Sequence, residues 1–193
     1  TKRSIHNAVV LGAKYVVVHP FLPNFITERN DEALAKDTYK QNLDAYNELL
    51  ACAMENDIEL CIENMPWHEF SLAKPSDIMR LCGEFDDKYI KTCLDIGHAN
   101  VFYELKPRDY IKEMAPRLRV IHAHDNFYGV DMHLMPFCGN ADWNEIFATL
   151  KEIDYEYIFE LETGVPDTVD NEIATDVLNI FIHTVDYLRK EER

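Results

Sequence analysis

The sequence contains no apolar run that approaches the ~20 residues a helix needs to cross a bilayer. Its first residues, Thr1 to Asn7, also lack the apolar core of a secretory signal peptide. The chain begins with Thr rather than Met, so we expect the true start of the protein to lie upstream. Because the sequence has no apolar run of that length, we expect no membrane association.

Basic residues are scarce. Lys and Arg total 19 against 35 Asp and Glu, which gives a net charge of −16. Affinity for DNA or RNA comes mainly from Lys and Arg side chains that neutralise phosphates. We therefore expect no nucleic-acid partner. Glycine is also scarce, at six residues, and no glycine-rich loop suited to cradling a phosphate is present.

Cysteine is odd in number and forms no CxxC pair that would indicate a zinc or redox motif. The sequence predicts buried, reduced thiols in a cytoplasmic protein. The five positions are Cys52, Cys61, Cys82, Cys93 and Cys138.

Helical and strand patterns alternate from one end of the chain to the other, and such alternation predicts a parallel sheet covered by helices. No linker or change of composition interrupts the pattern, so we expect one domain over residues 1–193. The predicted strands are Tyr15–Val18, Ile58–Ile62, Ile90–Leu94, Leu118–Ala123 and Tyr157–Leu161. The predicted helices are Ile5–Leu11, Asp31–Met54, Pro75–Leu81, Pro107–Met114, a helix from the Asp142 cap to Ile153, and Asp170–Lys190.

Every predicted strand delivers a carboxylate or an imidazole at its C-terminal end. Those ends converge on one face of a parallel α/β barrel, where active sites lie. Such crowding costs free energy unless a cation neutralises it. A mixed set of imidazoles and carboxylates suits Mn²⁺, Co²⁺, Fe²⁺ or Zn²⁺ better than Ca²⁺, with Mg²⁺ as a further option. The residues are His19, Glu63, Asp95, His98, His122, His124, Glu160 and Glu162.

Two of these residues have neighbours that bear on their role. His124 shares a face with His122, and we expect it to lie behind the ligands. Glu160 shares a face with Glu162 one step deeper in the barrel, and we expect it to be a buried carboxylate that needs a partner.

A second polar group follows the fourth strand. Asp131 and His133 lie two residues apart, so in an extended loop both side chains would reach back over the barrel mouth. On spacing alone, a solvated loop and a metal site are equally good interpretations of this pair.

The ordered set of these motifs resembles the sugar phosphate isomerase/epimerase and endonuclease IV branch of the xylose isomerase-like barrels. The resemblance runs from His19 to Glu162. Each motif is weak alone, but their order and spacing together are specific. The motifs are Ile62-Glu63-Asn64, Leu94-Asp95-Ile96-Gly97-His98-Ala99, Ile121-His122-Ala123-His124-Asp125-Asn126, Asp131-x-His133, Asp142-Trp143 and Leu161-Glu162.

The resemblance implies roles for these residues. In the ketose 3-epimerase-like members, two Glu, one Asp and one His hold a divalent metal, and the two Glu are the acid/base pair. Glu63, Asp95, His122 and Glu162 match those positions. His98 matches a residue that contacts substrate in epimerases and a second metal in the endonuclease. His19, Asp131 and His133 match further metal ligands of the endonuclease.

The chain departs from the family pattern at its beginning. Family members start with about three further strands, so the resemblance implies a (β/α)₈ TIM-barrel type fold that lacks the first three strands and keeps five β/α units. Open sheet edges invite pairing. We therefore expect a dimer, formed with or without exchange of elements, or association with a missing N-terminal piece.

The favoured function is a metal-dependent sugar isomerase or epimerase that moves a proton next to a carbonyl through an enediolate, with a sugar or polyol as its small-molecule substrate. Three alternatives stay open at this point. They are an endonuclease IV-like multi-zinc phosphodiesterase, a dehydratase of an inosose-like polyol, and an inactive barrel fragment.

Overall fold

The computed structural model describes residues 1–23, 28–67, 69–86, 88–164 and 168–189, and in them helices and strands alternate as the sequence predicts. The strands are β1 (Tyr15–Val18), β2 (Glu59–Glu63), β3 (Ile90–Asp95), β4 (Leu118–Ala123), β5 (Asp125–Phe127), β6 (Val130–Leu134) and β7 (Ile158–Leu161). The helices are α1 (Lys2–Leu11), α2 (Glu32–Glu55), α3 (Pro75–Cys82), α4 (Ile96–Asn100), α5 (Pro107–Met114), α6 (Trp143–Glu152) and α7 (Asn171–Arg189), with a 3₁₀ turn at Glu28–Asn30.

Five of the strands form one parallel sheet in the order β1-β2-β3-β4-β7. This is half of a TIM barrel, as predicted, and each predicted strand is present to within one residue at either end. The five predicted strands lie side by side in the sheet in the same order in which they follow one another along the chain. Strands β1 and β7 lie at the two edges of this sheet.

Local signals in the sequence set the helix ends. Gly12 ends α1 in the left-handed conformation, with φ of 71°, which a residue without Cβ adopts at little cost. The Asp31 side chain caps α2 by accepting from the backbone N–H groups of Ala33 and Leu34. Pro107 opens α5, where its missing N–H has no helical partner to lose.

Besides the 3₁₀ turn at Glu28–Asn30, one helix and one hairpin are present that the sequence analysis did not predict. Helix α4 directly follows β3, and the antiparallel hairpin β5–β6 follows β4. The last residue of the predicted final helix, Lys190, lies outside the described residues.

Along each strand, side chains point alternately to the inner face of the sheet and to the face that the helices cover. Cys61, Cys93 and Val120 form a small inner cluster, while the larger core lies between the sheet and the helices. Glu63 lies two residues after Cys61 on β2, and Asp95 lies two residues after Cys93 on β3, so both carboxylates are on the inner face.

A β-bulge on β4 determines where His122 points. The pairing of β3 with β4 shifts from Thr92–Leu118 to Cys93–Val120, and it then continues to Asp95–His122. If β4 were regular, Leu118, Val120 and His122 would share one face of the sheet. Because Leu118 lies in the helix-covered core, His122 would then also point toward the helices. The bulge therefore aims His122 at Asp95.

The cysteine prediction is correct in part. All five thiols are free, and Cys61, Cys82 and Cys93 are buried, but Cys52 is half-buried and Cys138 is exposed. Among the described residues, no helix is both long enough and apolar enough to span a membrane.

The buried carboxylate of Asp125 connects β5 to the start of α6. Its Oδ1 accepts from the backbone N–H groups of Asn126 (2.9 Å) and Ala141 (3.1 Å), and its Oδ2 accepts from the indole Nε1 of Trp143 at 2.8 Å. Gly139 packs so closely that an added Cβ would lie 2.3 Å from Asp125 Oδ1. This contact therefore fixes the loop that closes over the end of β4.

We expect Asp125→Ala to lower the free energy of unfolding by about 2–4 kcal/mol, because two buried N–H donors and the half-buried N–H of Ala141 lose their acceptor. Urea unfolding with EDTA present measures this without any contribution from a bound metal. Asp142→Ala is the matched control. It removes only the exposed cap on Glu145 N and should cost about 1 kcal/mol. Equal losses in the two variants would contradict this interpretation.

Candidate metal centre

Four side chains from four strand ends meet on the inner face of the sheet. Glu63, Asp95, His122 and Glu162 each offer one ligand atom, and these atoms all lie within 4.8 Å of one another. His122 Nδ1 lies 2.8 Å from Glu162 Oε2 and 3.5 Å from Glu63 Oε2. The sequence predicted that these four residues come together, and the parallel sheet places them on one face.

Strand β2 and strand β3 are joined through Asn64 directly beneath these side chains. The backbone N–H of Asp95 donates to Asn64 Oδ1 (2.8 Å), and Asn64 Nδ2 donates to the carbonyl oxygen of Asp95 (3.1 Å). The N–H of His98 donates to Asp95 Oδ1 at 2.6 Å, which also caps α4. Asn64 therefore holds the backbone of Asp95, and the His98 N–H holds its carboxylate.

The unsatisfied polar atoms of the cluster fit a cation. Glu63 Oε2, His122 Nδ1 and Glu162 Oε2 are buried and have no hydrogen-bond partner among the described residues. The 2.8 Å approach of His122 Nδ1 to Glu162 Oε2 lacks the angles of a hydrogen bond. Buried polar atoms without partners are costly. A divalent cation between three carboxylates and one imidazole would satisfy these atoms and neutralise the carboxylates.

The protonation equilibria reflect the same crowding. Burial opposes ionisation of Glu63, but contacts with His122 and His19 outweigh it and lower its pKa to about 2. The pKa of Glu162 is likewise lowered to about 2, mainly by His122 and against its burial. Burial raises the pKa of Asp95 despite the hydrogen bond from His124. The pKa of His122 is raised by the thiol and carboxyl groups around it, against its burial. The imidazoles therefore favour the ionised forms of Glu63 and Glu162, while burial opposes ionisation of Asp95.

A second cluster lies beside the first. His98, His124, Asp131 and His133 also offer ligand atoms within 4.8 Å of one another. His98 Nε2 lies 3.3 Å from Asp131 Oδ2, and His133 Nε2 lies 3.5 Å from the same oxygen. The pKa of His98 is raised to about 9 because Asp131 and the neighbouring carboxylates outweigh its burial. The hairpin therefore carries Asp131 and His133 back over the barrel mouth.

His133 has a backbone conformation that residues other than glycine adopt at a cost. Its φ is 49°, in the left-handed region. This turn brings its ring within 4.0 Å of the His124 ring in a stacked arrangement and lets its Nδ1 contact the Glu162 carbonyl oxygen at 3.0 Å. Such strain is found most often at functional positions.

Two other predicted positions have different outcomes. His19 lies at the edge of the first cluster, with Nε2 3.2 Å from Glu63 Oε2 and most of its side chain exposed. Glu160 is exposed, so the expectation of a buried carboxylate is wrong. The reason is that β7 is an edge strand and the described chain places no neighbour beyond it.

Two residues contribute more than the sequence analysis assigned to them. Asn64 was recognised only as part of a motif, and the joining of β2 to β3 is visible only in the structure. His124 was expected behind the ligands, but it also takes part in the second cluster. The position of Asn64 directly after the buried strand β2 could have indicated that its side chain contacts the neighbouring strand end.

Comparison with known proteins agrees with this geometry. A family model described as xylose isomerase-like TIM barrel matches residues 1–190. An uncharacterized protein of Methanocaldococcus jannaschii is 29% identical over 184 residues, which is 92% of this chain and 60% of that protein. An uncharacterized protein of Sinorhizobium fredii is 25% identical over 168 residues, 84% of this chain and 51% of that protein. The chain thus spans 60% and 51% of the length of these two relatives.

Solved structures extend the comparison. A D-tagatose 3-epimerase-like protein is 26% identical, with a TM-score of 0.74 over 95% of this chain and 69% of that chain. A putative xylose isomerase from Rhodospirillum rubrum has a TM-score of 0.80 and 20% identity, and all of this chain covers 67% of it. At that identity the likeness shows the fold alone. Since the family model covers nearly the whole sequence, the chain belongs to the xylose isomerase-like TIM barrel family.

Proposed function

We propose that this chain carries the metal site of a sugar isomerase or epimerase. The observation that carries the proposal is the group of four ligand atoms from Glu63, Asp95, His122 and Glu162. Within the described part of the chain, three of these residues contribute a buried polar atom that has no hydrogen-bond partner. The likeness to a D-tagatose 3-epimerase-like protein supports a ketose or related polyol as the substrate class. A sugar epimerase of this kind needs one acid and one base at the same carbon.

Glu63, Asp95, His122 and Glu162 would hold the divalent cation. Imidazole and carboxylate donors without a thiolate suit Mn²⁺, Co²⁺, Fe²⁺ or Zn²⁺, with Mg²⁺ as a further option. When bound, such an ion supplies Lewis-acid stabilisation of the negative charge that develops on a substrate carbonyl oxygen.

The proton transfer falls to Glu63 and Glu162. Both have lowered pKa values, so each is a carboxylate at neutral pH and can accept a proton. One takes the carbon-bound proton next to the carbonyl to give the enediolate. The other, after taking up a proton from solvent, delivers that proton on the opposite face or at the adjacent carbon, and the first then releases its own proton to solvent. Glu63 is fixed at a strand end, which holds its carboxylate in place. His98 at the mouth would orient a substrate hydroxyl.

The first expected result concerns metal content. Wild-type protein, after reconstitution with Mn²⁺, Co²⁺, Fe²⁺ or Zn²⁺ and removal of excess ion, should contain about one metal per chain by elemental analysis. Asp95→Ala and His122→Ala should contain almost none, because each removes a ligand from a set of only four. Circular dichroism of the variants serves as the folding control.

Other outcomes of this measurement have defined meanings. Two or more metals per chain would favour the second cluster as a metal site and an endonuclease-like arrangement. No metal in the wild type after reconstitution would contradict the proposal and favour an inactive barrel fragment.

The second expected result concerns the acid/base pair. Glu63→Gln and Glu162→Gln should each abolish epimerisation or isomerisation in a screen of ketoses, because the amide cannot exchange a proton with carbon-bound hydrogen. Glu160→Gln is the matched control, since Glu160 lies two residues from Glu162 on the same strand and is exposed. Retained turnover in either of the first two variants would refute the assignment. Loss of water from a polyol, without epimerisation, would indicate a dehydratase at the same site.

A second candidate function is favoured by the cluster of His98, His124, Asp131 and His133. An endonuclease IV-like phosphodiesterase would use several zinc ions, and this group supplies donors for another ion. The net charge of −16 opposes binding to a nucleic acid. Cleavage of a duplex that contains an abasic site would establish this function, and its absence alongside ketose turnover would exclude it.

We also propose that the chain self-associates through its open sheet. Strands β1 and β7 each have one edge without a partner strand among the described residues. Several large apolar side chains of α7 are exposed, including Ile173, Leu178, Ile180 and Ile182. Sheet edges and apolar faces of this kind favour association.

Sedimentation equilibrium should therefore give about twice the mass of one chain, 22.5 kDa. Replacement of Ile180 and Ile182 by Lys should shift the equilibrium toward the monomer if α7 takes part. A stable wild-type monomer at micromolar concentration would contradict self-association.

A further inference from the structure

His124 is buried directly behind Asp95. Its Nε2 lies 2.9 Å from Asp95 Oδ1 and 3.0 Å from Oδ2, and its side chain is fully inaccessible to solvent. The other ring nitrogen, Nδ1, is buried without a hydrogen-bond partner among the described residues. An N–H at Nδ1 would therefore be buried unsatisfied, so this geometry favours the neutral ring with its proton on Nε2, where it donates to Asp95.

Gly97 provides the space for this ring. A Cβ at Gly97 would lie 1.9 Å from His124 Cε1, 2.2 Å from Nδ1 and 2.5 Å from Nε2, and no other residue supplies one of these three nearest atoms. Gly97 lies in α4 and is not among the glycines with positive φ, so its backbone would accept alanine. The close approach of His124 is therefore a specific reason for glycine at this position.

The His124 ring also packs against His133. The two rings stack with centroids 4.0 Å apart and an angle of 16° between the planes. The imidazole is thus in close contact with both Gly97 of α4 and His133 of the hairpin, while its Nε2 is directed at the Asp95 carboxylate. These contacts limit the freedom of the ring to turn away from Asp95.

We propose that His124 is a positioning residue that fixes the Asp95 carboxylate through its Nε2–H, and that Gly97 makes room for it. The inference rests on the proposed function, because it takes Asp95 as a metal ligand. Partners that orient a ligand in this way contribute roughly 10–100-fold to metal affinity. His124 acts through Asp95 and does not itself touch the substrate in this proposal.

The test measures Co²⁺ affinity on the full chain by competition with a chelator and follows the visible d–d absorption of the bound ion. His124→Leu, which keeps similar bulk and removes the donor, should weaken Co²⁺ binding roughly 10–100-fold. His124→Gln places an amide N–H close to the position of Nε2 and should restore most of the affinity. Thermal unfolding of each metal-free variant separates a loss of affinity from a loss of fold.

A double-mutant cycle between Gly97 and His124 gives a second, independent test of the proposal. Gly97→Ala should weaken Co²⁺ binding by a similar factor because the new methyl group displaces the His124 ring. In the His124→Ala background the same Gly97→Ala change should have less than a twofold effect, because the clashing ring is gone. If Gly97→Ala alone does not fold, folding of the double variant would still show that its only conflict is with His124.

Three results would overturn the proposal. Equal Co²⁺ affinity in wild type, His124→Leu and His124→Gln would overturn it and leave the metal site intact. Equal loss in His124→Leu and His124→Gln would show that the ring itself, and not its donor, is needed, as for a ligand of the second cluster. Absence of Co²⁺ binding in the wild type would overturn it together with the metal half of the proposed function.

Discussion

The chemistry of the proposed site depends on the crowding of ionisable side chains at one end of a parallel sheet. Glu63, Asp95 and Glu162 bring three carboxylates around the single imidazole of His122, and three atoms of the group have no hydrogen-bond partner among the described residues. Buried polar atoms without partners raise the free energy of the folded state, although the lowered pKa values of Glu63 and Glu162 indicate that contacts with His122 offset part of this cost. A cation held among these atoms, as proposed, would neutralise the carboxylates and satisfy the remaining polar atoms.

That arrangement depends on the register of the strands more than on the identity of the residues. A shift of one residue in β4 would turn His122 into the helix-covered core and leave Asp95 without its neighbour. The bulge between Leu118 and Val120 prevents this, since it changes the face to which the rest of the strand points. A bulge next to a functional side chain is a common way to aim it.

The sequence predicted the parts of the site that follow from strand periodicity. Each buried strand ends in a polar residue, and parallel strands bring such ends together, so Glu63, Asp95 and His122 could be placed without coordinates. The bulge could not, because it depends on how β3 pairs with β4, and the positive φ of His133 accompanies contacts with the distant His124 ring and Glu162 carbonyl oxygen. The β5–β6 hairpin is local, with Gly129 in its turn at a φ of 81°, and the sequence analysis missed it. The prediction for Glu160 was wrong for a related reason, since alternation gives the face of a residue but not whether another strand covers it.

Asp95 is the residue at which the two clusters meet. Its backbone is held by Asn64 of the preceding strand end, one carboxylate oxygen accepts from the His98 N–H, and the carboxylate also faces His124 Nε2. His98 and His124 belong to the second cluster with Asp131. Asp131 Oδ2 lies 3.3 Å from His98 Nε2 and its Oδ1 lies 3.8 Å from His124 Nε2, so both rings lie between Asp131 and Asp95. The affinity of the first cluster for the proposed cation would for this reason depend on the hairpin as well as on the strands.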